Sequence, residues 1–185
     1  AYAALLRAHL GDLPFPAIGQ AAGWLEETRD RGRALFVFGN GGGAATASHL
    51  ACDLGKGASL GRETRFRVRS LGENRAWSTA LANDLGYDRV LVEELENFAE
   101  PGDLCLALSA SGASANVLAA ATRAREKGLR VIALVGRQGE ALSALADLAI
   151  VLPDVHPGRV EDLQLIVCHM IGYHLMDALP PTLDA

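Results

Sequence analysis

Two stretches decide how this chain folds: Gly39-Asn40-Gly41-Gly42-Gly43-Ala44 and Leu108-Ser109-Ala110-Ser111-Gly112-Ala113-Ser114. Each follows a short apolar run, 34–38 and 104–108, and each opens into a helical pattern, 43–54 and 114–127. Three further strand-like runs lie at 66–71, 130–135 and 148–152, bounded mostly by Gly, Asp or Ser. Helical stretches at 73–83, 88–99 and 140–146 fall between runs, and two more, 16–31 and 158–179, flank the set. Strands alternating with helices predict an α/β fold with a parallel sheet covered on both faces. Right-handed crossovers make it a three-layer αβα sandwich. The run 66–71 is only half apolar, because Arg65, Arg67 and Arg69 alternate with Phe66, Val68 and Ser70. Such a strand belongs at an edge. The five-stranded sheet then takes the flavodoxin-like order 2-1-3-4-5, with its switch point between strands 1 and 3. Ligands are expected beyond the C-terminal ends of those strands, where the two quoted loops lie.

Composition narrows the field. The 185 residues predict one domain over 1–185, with an N-terminal helical segment 1–31 and a C-terminal helix at about 158–179. The tail 180–185 has turn residues and no periodicity, and is expected to fray. A net charge of −5 argues against nucleic acid as a partner. The apolar runs fall well short of a membrane span, and no charged segment precedes an apolar one at the start, so neither a membrane partner nor a secretory signal is expected. Three Cys make no disulfide framework, which fits reduced thiols in a cytoplasm. Cys52 and Cys168 read as small buried apolar residues.

The two loops differ in chemistry. In the first, glycines let a ligand approach the main chain, and the helix start offers N–H groups to an anion. The second sets three hydroxyls and a glycine before a helix N-terminus. Ser114 reads as an N-cap, which leaves Ser109 and Ser111 unexplained by capping. Hydroxyls with free N–H groups suit a phosphate monoester. The first loop also satisfies G-x-G-x-x-A, the dinucleotide pattern. The acidic residue expected about 20 positions on is missing from a strand end, since Glu73 comes 34 after Gly39. A nicotinamide dehydrogenase is therefore the weaker reading.

The pair of loops resembles GNGGS…LSTSGNS of the sugar isomerase (SIS) domain, and within it the phosphoheptose isomerase family. Asn83-Asp84-Leu85-Gly86-Tyr87 is similar to the family's NDFGY, and Arg159-Val160-Glu161-Asp162 to its RIQE. The resemblance spans about residues 35–177 and includes a C-terminal helix carrying His169. It implies an aldose–ketose isomerase of carbohydrate metabolism, an intramolecular oxidoreductase in heptose biosynthesis. The substrate implied is a phosphorylated sugar, sedoheptulose 7-phosphate, converted to glycero-manno-heptose 7-phosphate. It also implies a cytoplasmic homotetramer with sites at subunit interfaces. Asn40, Gly41, Gly42, Asp84, Ser109, Ala110, Ser111 and Ser114 are the substrate-binding positions so identified. Here Gly43 stands for the family's Ser, Ala110 for its Thr and Ala113 for its Asn.

His49 and Asp53 are four apart, so they share a helix face. The spacing serves two metal ligands, a ligand and a base, or a solvated polar face. The resemblance implies a divalent metal, zinc, held by His49, Asp53, Glu161 and His169, with Asp53 and His169 as acid–base groups; Glu161, whose carboxylate adds negative charge, is a further candidate base. Asp53 stands for the family's Glu and is shorter by about 1.5 Å, one C–C bond. Glu161 stands for its Gln. Helix geometry favours Asp162, seven before His169 and nearly eclipsed with it, over Glu161, which is about 80° away; the resemblance favours Glu161. Either Asp53 or Glu161 is then the base. His9, His156 and His174 are expected outside the chemistry. The competing reading is a non-catalytic SIS module that binds a sugar phosphate or a protein, against which the retained His49, Asp53 and His169 stand.

Overall fold

The short apolar runs become β1 (Ala34–Gly39), β2 (Arg67–Ser70), β3 (Leu104–Ser109), β4 (Arg130–Val135) and β5 (Leu148–Val151) in a computed structural model of the chain, which describes residues 1–178. All four neighbouring pairs are parallel, and the order is β2-β1-β3-β4-β5, as the charge pattern of the edge strand predicts. Leu179 and the tail 180–185 lie outside the described residues, so the end of the predicted last helix and the expected fraying do too. No helix among the described residues is long and apolar enough to cross a membrane.

Both faces of the sheet are covered. The helices are α1 (Tyr2–Gly11), α2 (Phe15–Asp30), α3 (Gly42–Cys52), α4 (Arg75–Asp84), α5 (Val90–Phe98), α6 (Ala115–Glu126), α7 (Glu140–Leu145) and α8 (Pro157–Asp177). Side chains alternate along β1: Leu35 and Val37 pack with α2, α3 and α8, whereas Phe36 and Phe38 pack with α5, α6 and α7. A central parallel strand buried on both faces has no room for polar residues. Every residue of β1 and β3 is buried accordingly. A π-helical turn over Asp53–Gly57 continues α3, and a 3₁₀ turn over Tyr87–Arg89 precedes α5.

Helix α1 falls in the N-terminal helical segment expected over 1–31. None of its residues is fully buried: Leu6 packs against the core, while Tyr2, Leu5 and Leu10 of the same apolar stripe stay exposed. Polar contacts add to its hold on α8 and the β5–α8 corner. Tyr2 Oη donates to Asp162 Oδ2 at 2.6 Å, and His9 Nε2 lies 2.9 Å from Asp154 Oδ2. Asp154 is the knot of the β5–α8 corner. Its Oδ1 accepts from the N–H groups of Val155 and His156 at 2.7 and 2.9 Å and from Arg159 Nη2 at 3.0 Å, while Arg159 Nε donates to Oδ2.

The Arg159 guanidinium, helped by the two backbone N–H groups, holds the Asp154 carboxyl well below the usual carboxylate range. A depressed folded pKa means that the unfolded chain takes up the proton first as pH falls. This contribution to stability is therefore complete above the ordinary carboxylate pKa near 4 and is lost as pH drops through the folded value. Urea melts should show Asp154→Asn less stable than wild type at pH 7 and less sensitive to acid below about pH 4. Parallel stability–pH curves for the two proteins would refute this account.

Candidate active site

The β1–α3 loop brings Asn40, Gly41 and Gly42 to the C-terminal edge of the sheet. No side chain caps the N-terminus of α3 by a hydrogen bond. The Glu161 carboxylate, from the start of α8, lies there instead. A Cβ on Gly42 would fall 2.4 Å from Glu161 Cδ, so the carboxylate occupies the space that any other residue at 42 would fill. An anion at this end of a helix is favoured by the backbone dipole.

The β3–α6 loop is tied internally. Ser109 Oγ accepts from the Gly112 N–H at 3.0 Å, and Ser111 Oγ from the Ala113 N–H at 3.3 Å. Ser114 occupies the N-cap position of α6 but makes no capping bond. Its hydroxyl lies 3.5 Å from that of Ser109. A cavity of about 220 Å³ opens among Asn40, Ser109, Ala110, Ser111, Ser114 and Glu161. No Lys or Arg lines it. Hydroxyls and the α6 start can hold a phosphoryl group by hydrogen bonds. A larger cavity of about 510 Å³ lies on the other side of Asn40, with Ser48, Arg75, Tyr87 and Asn116 among its walls. Asp84 lines neither cavity; it ends α4, exposed, and accepts from Asn83 Nδ2 at 2.7 Å.

Further along α3 and α8, His49, Asp53 and His169 converge, with one ligand atom from each lying within 4.8 Å of the others. His49 Nε2 lies 2.8 Å from His169 Nε2 and 3.3 Å from Asp53 Oδ2. Asp53 Oδ2 is buried and has no hydrogen-bond partner beyond that approach. Two imidazoles and an orphaned carboxylate oxygen form a donor set that fits a divalent ion such as zinc. The structure thus gathers three of the four residues read as ligands. Glu161 stands apart from them, over Gly42. Burial, with the Asp53 charge behind it, pushes the neighbouring Cys168 thiol up to about 12, so it stays protonated. Cys52 corrects the expectation of a buried thiol: it is exposed, because its neighbours Leu50 and Leu54 take the core-facing side of this stretch.

Two residues that the sequence did not single out join the site. Tyr87 Oη donates to Asn40 Oδ1 at 3.0 Å, and Asn40 and Asn116 exchange two amide hydrogen bonds of 2.8 Å. Tyr87 carries a signal, as the last residue of the Asn83–Tyr87 motif. Asn116 carries none, since a lone Asn in the first turn of a helix reads as solvated, yet it is buried.

The SIS-domain family profile matches residues 3–136. The phosphoheptose isomerase of Rhodospirillum rubrum is 38% identical over 170 residues, which is 92% of this chain and 89% of that protein. That of Mycobacterium tuberculosis is 39% identical over 148 residues, 80% of this chain and 75% of the relative. The structure of a phosphoheptose isomerase from Neisseria gonorrhoeae superposes with a TM-score of 0.85 at 25% identity, covering 94% of this chain and 92% of that one.

Among the described residues, the Glu161 carboxylate is the only charged group on the wall of the smaller cavity. Displacing it with Gly42→Ala, or neutralising it with Glu161→Gln, should tighten binding of inorganic phosphate by about two- to tenfold, the worth of one nearby like charge at high effective dielectric. Titration calorimetry checks this. Unchanged affinity in both variants would mean that phosphate and carboxylate do not share the cavity.

Proposed function

The chain belongs to the phosphoheptose isomerase family of SIS-domain proteins, and from that premise we infer that it interconverts sedoheptulose 7-phosphate and glycero-manno-heptose 7-phosphate. One observation carries the reading: α3 and α8 wall the serine-loop cavity at one end and present His49, Asp53 and His169 further along. From Gly42 to His49 is seven residues, about 10 Å along a helix axis. Seven carbons and a phosphate ester, with C–C bonds near 1.5 Å, extend to about the same length. A sugar phosphate anchored at Ser109, Ala110, Ser111 and Ser114 would extend along α3 and α8 toward the acid–base cluster. Asn40, Gly41 and Gly42 flank its path, and Asp84 would reach a sugar hydroxyl only from a neighbouring subunit or after α4 moves.

The chemistry asked of the cluster is a proton transfer between adjacent carbons. Asp53, beside both imidazoles, takes the proton from the carbon next to the carbonyl; the electron pair left behind forms the C=C bond as the carbonyl oxygen takes a proton from His169, giving an enediol. The neighbouring hydroxyl then gives its proton back to His169 while Asp53 delivers its proton to the former carbonyl carbon, so carbonyl and hydroxyl exchange places and both residues return to their starting states. Glu161 is the second carboxylate, and it would act as base only by swinging away from Gly42. A divalent ion, zinc, held by His49, Asp53 and His169 with Glu161 completing the set, would supply polarisation of the substrate oxygens. A ligating nitrogen cannot also donate a proton, so His169 serves one role from each ring nitrogen at most.

We read residues 1–185 as one SIS domain, because α8 packs in the same core as α2 and α3. A cytoplasmic homotetramer with sites at subunit interfaces is our reading of the assembly. It is supported by the large apolar side chains Phe15, Met170 and Tyr173 exposed on α2 and α8. The test is an isomerase assay on sedoheptulose 7-phosphate, with and without chelator, for wild type and His169→Ala. Wild type should turn over, chelator should abolish and zinc restore the rate, and His169→Ala should lose about 10²-fold or more. A His169→Ala enzyme of wild-type rate would sink the mechanism. Tight binding of the ester with no turnover by wild type would favour a binding module.

A further inference from the structure

The reciprocal amide pair of Asn40 and Asn116 joins two loops that the chain connects only through 75 residues of other structure. Asn40 sits in the β1–α3 loop and Asn116 in the first turn of α6, next to the serine loop. Each amide nitrogen donates to the other's carbonyl oxygen at 2.8 Å. Tyr87, from the segment after α4, adds its hydroxyl to the same Asn40 oxygen at 3.0 Å. An amide oxygen has two lone pairs and an amide nitrogen two hydrogens. Both lone pairs of Asn40 Oδ1 are therefore taken, by Tyr87 and Asn116, and one Nδ2 hydrogen remains. Toward a ligand, Asn40 can only donate.

We propose that Asn116 and Tyr87 are positioning residues: they fix the amide of Asn40, the shared wall of both cavities, as a donor-only contact for an oxygen of the sugar. The same clamp holds the β1–α3 loop in register with the serine loop. The inference rests on the reading that the serine loop takes the phosphate and the β1–α3 loop flanks the sugar. Loosening the clamp should cost the sugar contact and spare the phosphate contact. Asn116 is buried, with 3% of its surface exposed, so its replacement can also weaken the fold. Tyr87 is 61% exposed, so Tyr87→Phe removes one hydroxyl from a solvent-facing ring and leaves the core alone.

The experiment measures KM and kcat for sedoheptulose 7-phosphate, and Kd for inorganic phosphate, on wild type, Tyr87→Phe and Asn116→Ala. Tyr87→Phe should raise KM about fivefold, the worth of one ordinary hydrogen bond, and Asn116→Ala by more, because it loses two. In both, kcat and the phosphate Kd should change less than about twofold. Any other pattern in Tyr87→Phe overturns the proposal: an unchanged KM, a kcat that falls as far as KM rises, or a phosphate Kd that weakens with it. Wild type that binds no phosphate overturns the underlying reading of the serine loop instead, and is seen before any variant is made.

Discussion

The pairing of β1 with β3 is the constraint on which the site depends. Their register ends with Gly39 opposite Leu108, so both chains leave the sheet at the same level and side by side. The approach is close enough that a Cβ on Gly39 would fall 2.7 Å from the Leu108 carbonyl oxygen. Between two such strands there is no side chain to separate the loops. The crevice that a doubly wound sheet leaves at its switch point is thus floored by the backbone of the two loops, with side chains from the surrounding helices as its walls. Everything the site does follows from which groups the two loops and the two helices beyond them carry into that crevice.

Much of this was legible in residues alone because it depends on apolar burial. The arginines of β2 mark an edge, the uninterrupted apolar runs mark β1, β3 and β4, and edge plus alternation yields the strand order. The i,i+4 spacing of His49 and Asp53 places them on one face of α3, and they do face His169. What stayed hidden is held by polar contacts between distant segments. Helix α1 has an apolar stripe, but the polar contacts of His9 and Tyr2 that help to dock it are announced by no periodicity. Asn116 reaches the site through Asn40 and has no chemistry of its own to betray it, whereas Tyr87 is marked only as the last residue of the Asn83–Tyr87 motif.

Glu161 and Asp162 show where spacing misleads. Eclipsing with His169 favoured Asp162, yet Asp162 is bonded to Tyr2 at the α1 contact. Glu161 points across to α3 and rests against Gly42. Residues along one helix share a site only if the ligand runs parallel to that helix, and here the path is defined jointly by α3 and α8. The relevant neighbour of Glu161 is therefore a glycine on another helix rather than a histidine two turns along its own.

That contact also sets the direction in which a substrate lies. Two helix N-termini, of α3 and α6, open on the crevice, and each favours an anion. They are not equivalent, because α3 carries the carboxylate of Glu161 directly over Gly42, whereas α6 starts beside the hydroxyls of Ser109, Ser111 and Ser114, with Glu161 further off on the wall of the same cavity. A phosphate placed at α3 would meet like charge, whereas at α6 it meets the hydroxyls of Ser109, Ser111 and Ser114. On the proposed reading, the internal carboxylate favours α6 for the phosphate and leaves the flank of α3 and α8 for the uncharged part of the sugar. Along that flank lie Asp53, His49 and His169, the groups able to move a proton between carbons. On the proposed reading, the glutamate that sits where a side chain at position 42 would be biases the ligand's charged end toward α6.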